Sequence, residues 1–496
     1  MKRASGILMP VASLPSGYGI GCFSKEAYAF VDFLAEAGQS YWQVLPMGPT
    51  GYGDSPYQSF STFAGNPYFV DLEELIQNGW LKKSEAGRTD WGEDPEKTDY
   101  AKIYKNRFRL LKKAYQRSGI AKEPEYQAFV KENAFWLEDY ALFMALKDAN
   151  KGKSYLEWEE GLRLHKKTAL KKCLSDPKLV QTVECYCFIQ FMFLRQWNTL
   201  KKYANERGIS IIGDIPIYVA SDSADTWAHP ELFQLDTKGY PVAVAGCPPD
   251  YFAVTGQLWG NPLYRWEYHK ESGYAWWMQR LEYCFRLYDI VRIDHFRGFD
   301  EYYSIPYGNP TAEFGKWLKG PGYDLFAVMK KRLGKKEIIA EDLGFLTPGV
   351  KRLVKKTGYP GMKVLEFAFD SNEENDYLPH NYDKNCVVYT GTHDNDTTKG
   401  WFEQLNRKDQ VCAKEYLGIK SGKQIVWALI RLAMASVADT VIIPMQDYLE
   451  LGAEARINIP STLGNNWNWR MKAGVCTPAL AARIRKMTVL FGRAGK

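Results

Sequence analysis

The chain has 496 residues and a net charge of +6, from 64 basic and 58 acidic side chains. That balance is too even, and the basic residues too dispersed, to point to nucleic acid or a membrane surface as partner. Aromatic content is 15%, including 16 Trp and 32 Tyr, which fits an aromatic core and equally fits faces that stack on sugar rings.

From the N-terminus, Met-Lys-Arg leads into an apolar run cut by Pro10 and Pro15, which leaves no signal-peptide core. The chain is expected to start directly in a first strand, Gly6–Val11. Seven further β-branched runs bounded by Gly, Pro and Asp follow: Tyr41–Leu45, Ser210–Asp214, Ile290–Asp294, Glu337–Glu341, Val364–Phe369, Cys386–Thr390 and Thr440–Pro444. Helical periodicity fills the gaps, for example at Glu26–Ala37, Tyr274–Tyr288 and Phe326–Leu333. Strand–helix alternation repeated eight times predicts an α/β fold, a (β/α)8 TIM barrel over residues 1–496. An open doubly wound sheet is the alternative, but no G-x-G-x-x-G follows the first strand.

The gap between the second and third strands is far longer than a crossover helix. Its Trp-, Phe- and Lys-rich stretches, such as Phe135–Asp148 and Lys178–Glu206, predict a mainly helical subdomain inserted at about 62–205. A second insertion, 220–285, holds a loop dense in Gly, Pro and aromatics (Tyr240–Trp266) and is expected to cover substrate. The apolar stretch Val426–Met445 contains Arg431 and Asp439 and is a poor membrane span. Nine cysteines without C-x-x-C spacing suggest reduced, mostly buried thiols in a cytoplasmic protein.

Three of the strands deliver a carboxylate to their C-terminal end: Asp294, Glu341 and, just past the seventh, Asp394. Barrel enzymes mount catalytic groups on that rim, and such acids suffice for glycosidic-bond chemistry. Arg292 and Asp294 share a strand face, so the guanidinium would keep that carboxylate ionised as a nucleophile. A structural ion pair has the same signature. Glu341 fits an acid/base in a less polar or more negative setting, although Glu341 or Asp342 could equally cap the turn. In Gly-Thr-His-Asp-Asn-Asp-Thr-Thr, one of Asp394 and Asp396 could be only a loop cap. Pairing with His393, echoed by Asp294–His295, favours contacts to sugar hydroxyls. Asp214 is a fourth rim acid, and Tyr57 and Tyr52 come from the constrained loop 51–61. No His-x-His spacing or calcium loop occurs, so no metal and no cofactor are expected.

Together these motifs resemble the 4-α-glucanotransferases of the amylomaltase (disproportionating enzyme) type, glycoside hydrolase family 77 of the α-amylase clan. The likeness runs from Gly6-Ile-Leu-Met-Pro to Asn466-Trp-Asn-Trp-Arg470. It includes Gly51–Tyr57, Gly213–Val219, Gly256-Gln-Leu-Trp-Gly-Asn-Pro262, Arg292-Ile-Asp-His-Phe-Arg-Gly298, Glu341-Asp-Leu-Gly344 and Gly391-Thr-His-Asp394. The resemblance implies Asp294 as nucleophile, Glu341 as general acid/base and Asp394 as transition-state stabiliser. It places Tyr57, Asp214, Arg292, His295 and His393 around the sugar. Gln257 and Trp259 would sit in a lid on the acceptor side, and Tyr52 and Tyr100 would form a glucan-contact pair outside the active site. The chain is expected to lack the extra N-terminal carbohydrate-binding modules of the larger plant cytosolic relatives and to resemble the compact bacterial or plastid form, with the stroma as the expected location for a mature plant chain.

The expected function is retaining transfer of α-1,4-glucan segments to the 4-hydroxyl of glucose or another glucan, with no nucleic-acid or membrane partner. A retaining pair would hold the Asp294 and Glu341 carboxyls about 5–5.5 Å apart. An α-1,4-glucan hydrolase is the alternative, and a non-catalytic glucan-binding protein a further one.

Overall fold

The computed structural model describes residues 1–51, 53–249, 254–344, 346–370 and 375–495. In chain order the strands are β1 (Ala4–Leu8), β2 (Tyr41–Gln43), β3 (Ser210–Pro216), β4 (Ala243–Cys247), β5 (Gln257–Pro262), β6 (Ile290–Asp294), β7 (Glu301–Pro306), β8 (Lys316–Lys319), β9 (Ile338–Ala340), β10 (Gly361–Val364), β11 (Cys386–Tyr389) and β12 (Thr440–Pro444). Eight of them form one parallel sheet in the order β10-β11-β12-β1-β2-β3-β6-β9. Both faces of these strands are covered, as a parallel sheet wrapped by helices requires, and β1 and β12 are buried at every position.

The sheet closes between β9 and β10. There Ala340 N donates to Pro360 O at 3.0 Å and Met362 N to Asp342 Oδ1 at 2.7 Å. A Cβ on Gly361 would stand 2.3 Å from Asp342 Oδ2, so only glycine lets this carboxylate staple the seam. The result is the expected (β/α)8 barrel.

Most of the expected strands match to within a few residues. The sixth does not: Val364–Phe369 reads as strand, yet the strand is Gly361–Val364 and a 3-10 turn follows at Leu365–Phe367. Leu365 and Phe369 are buried as core around that turn, which gives the run its strand-like composition. β4, β5, β7 and β8 form a separate antiparallel sheet in the order β5-β4-β7-β8.

Between β2 and β3 the chain is helical. Its longest helix, Pro177–Glu206, starts with Pro at the first turn and Asp176 capping Lys178 N. Its buried Gln190 and Gln196 grip the chain leaving β2: Gly65 N donates to Gln190 Oε1 and Asp71 N to Gln196 Oε1, both at 2.7 Å. Helix Tyr100–Ser118 is capped by Asp99 at one end and by left-handed Gly119 at the other. No helix among the described residues is long and apolar enough to cross a membrane. Of the nine cysteines, four are buried and five partly exposed, so fewer are sealed in the core than expected.

The bottom of the barrel is tied by two arginines, Arg493 and Arg3, which share the carbonyls of Met434, Ser436 and Ala438. Arg493 is fully buried, and its guanidinium donates to Met434 O, Ala4 O, Asp439 O, Ser436 O and Ala438 O at 2.8–3.3 Å. It thereby joins β1, the end of helix Ile425–Ala435 and the turn into β12. Arg493→Met keeps apolar volume but removes five hydrogen bonds; Arg3 still reaches Met434 O, Ser436 O and Ala438 O, and Ala4 N still donates to Asp439 O, so the expected cost is about 1–3 kcal/mol. A thermal midpoint several degrees lower, with activity retained at low temperature, is the expected result. An unchanged midpoint would refute the tie.

Candidate active site

Register sets the first contact. Asp214 on β3 is paired with Arg292 on β6, and Pro216 with Asp294. Arg292 Nη1 lies 2.7 Å from both Asp214 oxygens and 3.0 Å from Asp294 Oδ1, so one guanidinium serves two carboxylates. β3 runs two residues past Asp214, which is therefore wholly buried inside the barrel and not on its rim. Its second partner is the Tyr57 hydroxyl, which donates to Oδ2 at 2.8 Å.

Glu341 follows β9, and its backbone N–H donates to Ile293 O, extending the ladder beside Asp294. Oε2 accepts from His295 N at 2.6 Å and Oε1 from Leu343 N at 2.9 Å. Burial pushes its carboxyl up to about 7, and the Asp294 charge adds to the rise. Arg292 and the two N–H donors offset only part of it. The adjacent acids thus have different settings, one against a guanidinium and the other shielded and facing a negative charge.

His295 holds left-handed backbone at φ 51, the turn that aims its N–H at Glu341. Burial lowers the ring's pKa to about 4, with the Asp294 charge opposing and Arg297 reinforcing. The imidazole is therefore neutral near pH 7, and its buried Nε2 has no hydrogen-bond partner among the described residues. Trp259 packs edge-on against it at 4.8 Å, and its own Nε1 donates to Gln257 Oε1 at 3.1 Å. Gln257 and Trp259 both belong to β5, and Gln58 ties that strand to the 51–61 loop by donating to Asn261 Oδ1 at 3.2 Å.

His393 is buried with its ring stacked on Tyr57, centroids 5.1 Å apart. Its Nε2 sits 3.4 Å from Asp394 Oδ2, while Asn458 Nδ2 donates to Asp394 Oδ1 at 2.7 Å. Burial would raise Asp394, but the His393 charge and the bonds from His393 and Asn458 win and hold it down to about 2. The same carboxylate raises the pKa of His393 against the effect of burial. Asp396 has the loop role instead: its oxygens accept from Thr397 N and Gln404 Nε2, and Thr397 caps the next helix.

Tyr52 lies outside the described residues. Tyr100 is not drawn to the acids; its hydroxyl donates to Trp467 O at 2.9 Å, and its ring packs on Tyr104. Among the described residues, no group of three or more His, Cys, Asp or Glu side chains is arranged to hold a metal ion.

Sequence reasoning missed four participants. Asn458 and Arg456 grip Asp394, the latter by donating to its carbonyl at 2.7 Å. Trp467 packs 5.9 Å from both Tyr57 and His393. Asp447 accepts from the Thr390 and Thr398 hydroxyls and from Thr398 N, fixing the exit of β11. Asp447 was findable, since it follows β12 as the other acids follow their strands; Asn458 and Arg456 lie in coil with no such pattern.

A family model described as 4-alpha-glucanotransferase matches residues 9–477. The chain is 48% identical to a 4-alpha-glucanotransferase of Clostridium butyricum, over 98% of this chain and 100% of that protein. It is 47% identical to one of Thermus thermophilus, over 98% of each chain. Among solved structures, an amylomaltase from Streptococcus agalactiae in complex with acarbose matches with a TM-score of 0.96 at 42% identity, covering 99% of this chain and 100% of that one.

Proposed function

The chain belongs to the 4-alpha-glucanotransferase family, and on that premise we propose how its acids carry out disproportionating transfer between α-1,4-glucans. The observation that carries the proposal is the division between Asp294, 3.0 Å from Arg292, and Glu341, shielded and held up to about 7. One acid is equipped to attack and the other to carry a proton.

Asp294 attacks the anomeric carbon while Glu341 protonates the departing glycosidic oxygen. The C–O bond to the leaving glucan breaks as the bond to Asp294 Oδ forms, giving a covalent glycosyl-enzyme. Glu341, now a carboxylate, then takes the proton from the 4-hydroxyl of glucose or another glucan, whose oxygen displaces Asp294. Two inversions retain the α configuration. Asp394, ionised and held by Asn458, hydrogen-bonds the ring hydroxyls as positive charge develops. His295 offers another hydroxyl its Nε2, which has no partner among the described residues. Arg292 and Tyr57 keep Asp214 fixed beneath the sugar. Gln257 and Trp259, on the strand tied to the 51–61 loop, cover the acceptor and keep water from competing with it. The similar amylomaltase solved with acarbose supports assigning this groove to glucan.

Incubation with maltotriose tests the activity. Glucose and longer maltodextrins should appear with no rise in total reducing ends. A proportional rise would indicate hydrolysis and overturn the transfer reading.

A further inference from the structure

Two loops meet over His393. One brings Tyr57 onto its ring and the other brings Trp467 to within 5.9 Å of both. Neither loop rests in relaxed backbone. Asp54 (φ 58) in the first, and Ser461 (φ 63), Asn465 (φ 55) and Trp467 (φ 63) in the second, are left-handed without being glycine. Such backbone is sparsely populated by residues other than glycine and persists where surrounding contacts hold it.

Beside the loops' own hydrogen bonds, such as Asp54 N to Gly51 O and Trp467 N to Ile457 O, each loop is held by a tyrosine from one turn of helix Tyr100–Ser118. The Tyr104 hydroxyl donates to Asp54 Oδ1 at 2.5 Å, with Gly51 O at 3.2 Å and Thr50 Oγ1 at 3.3 Å. Tyr100, four residues earlier and so on the same helix face, grips the other loop through Trp467 O. The two tyrosine rings are 5.7 Å apart. A helix of the long segment between β2 and β3 therefore reaches the sugar end of the groove without touching an acid of the mechanism.

We propose that Tyr104, by holding Asp54, is a positioning residue that presets Tyr57 against His393 and Asp214 before substrate enters. The argument is geometric. Tyr57 lies three residues beyond Asp54, in a loop closed at its base by the Thr50–Ser59 bridge. With both the base and the Asp54 corner fixed, the ring has one place to go. Without the Tyr104 bond, the strained corner relaxes and binding must re-order it, at a cost to the transition state. The proposal rests on the reading that Tyr57 faces the reacting sugar.

The experiment measures kcat/KM for maltotriose and the thermal midpoint of Tyr104→Phe, Asp54→Gly, Tyr57→Ala and Tyr104→Phe/Tyr57→Ala. Glycine accepts the left-handed corner freely but offers no acceptor. If Asp54 mattered only for backbone strain, Asp54→Gly would be stable and fully active. The proposal expects it to be stable and slowed about tenfold, as Tyr104→Phe is. It also expects non-additivity: with the Tyr57 ring gone, removing the Tyr104 hydroxyl should change kcat/KM by less than about twofold. Full activity of Tyr104→Phe or of Asp54→Gly, or an undiminished tenfold effect in the Tyr57→Ala background, would overturn the proposal. Unchanged kcat/KM in Tyr57→Ala alone would instead overturn the reading of Tyr57, and the proposal with it.

Discussion

Asp294→Asn is expected to lower turnover of maltotriose by about ten-thousandfold or more while leaving the fold intact. The amide has the shape of the carboxylate but cannot form the covalent intermediate. Arg292 is not left stranded, because it keeps both 2.7 Å contacts to Asp214 inside the barrel. Thermal stability should therefore stay close to that of the parent, which separates loss of chemistry from loss of structure. A second signature follows from electrostatics. The Asp294 charge helps hold Glu341 near 7, so removing it should let the Glu341 carboxyl titrate lower. Retained turnover in Asp294→Asn would sink the double-displacement account.

Glu341→Gln is the second large effect. Positioned acid/base groups contribute about 10²–10⁴-fold, and the loss should fall near the upper end because the same group serves both half-reactions. The loss should depend on the leaving group: a maltosyl fluoride donor, whose fluoride leaves without protonation, should recover most of the first step. The pH profile gives a further check. In the free enzyme Glu341 must carry its proton to act on the donor, and its pKa is raised to about 7. The donor kcat/KM should accordingly be full below that value and fall as pH rises through it. In Glu341→Gln this limb should vanish. A limb that persists unchanged would assign the titration to another group.

Much of the site was legible because its physics is local. A β-branched run ending in an acid is both a strand signal and a placement signal, and period-two alternation put Arg292 beside Asp294 at 3.0 Å. The barrel followed from the eightfold alternation for the same reason. What stayed hidden depends on tertiary context. Asp214 looked like a rim acid because the run was cut at the carboxylate; the strand continues to Pro216 and buries it. The sixth strand was placed too late because core-facing residues in a 3-10 turn carry the same composition as a strand. The separate sheet of β4, β5, β7 and β8 was obscured by the Gly- and Pro-rich composition of its first two strands' surroundings. Asp394 was ambiguous between cap and ligand, and contacts with His393 and with Asn458, 64 positions along the chain, separate it from Asp396. Tyr104 carried no signal at all, since a tyrosine on an amphipathic helix reads as packing.

The most direct test of the account is covalent trapping. A fluorinated maltosyl donor that forms the intermediate but releases it slowly should leave one glycosyl group on the protein, and peptide mapping should find it on Asp294. A label on Asp394, Asp214 or Glu341, or efficient turnover with no covalent species at all, would contradict it.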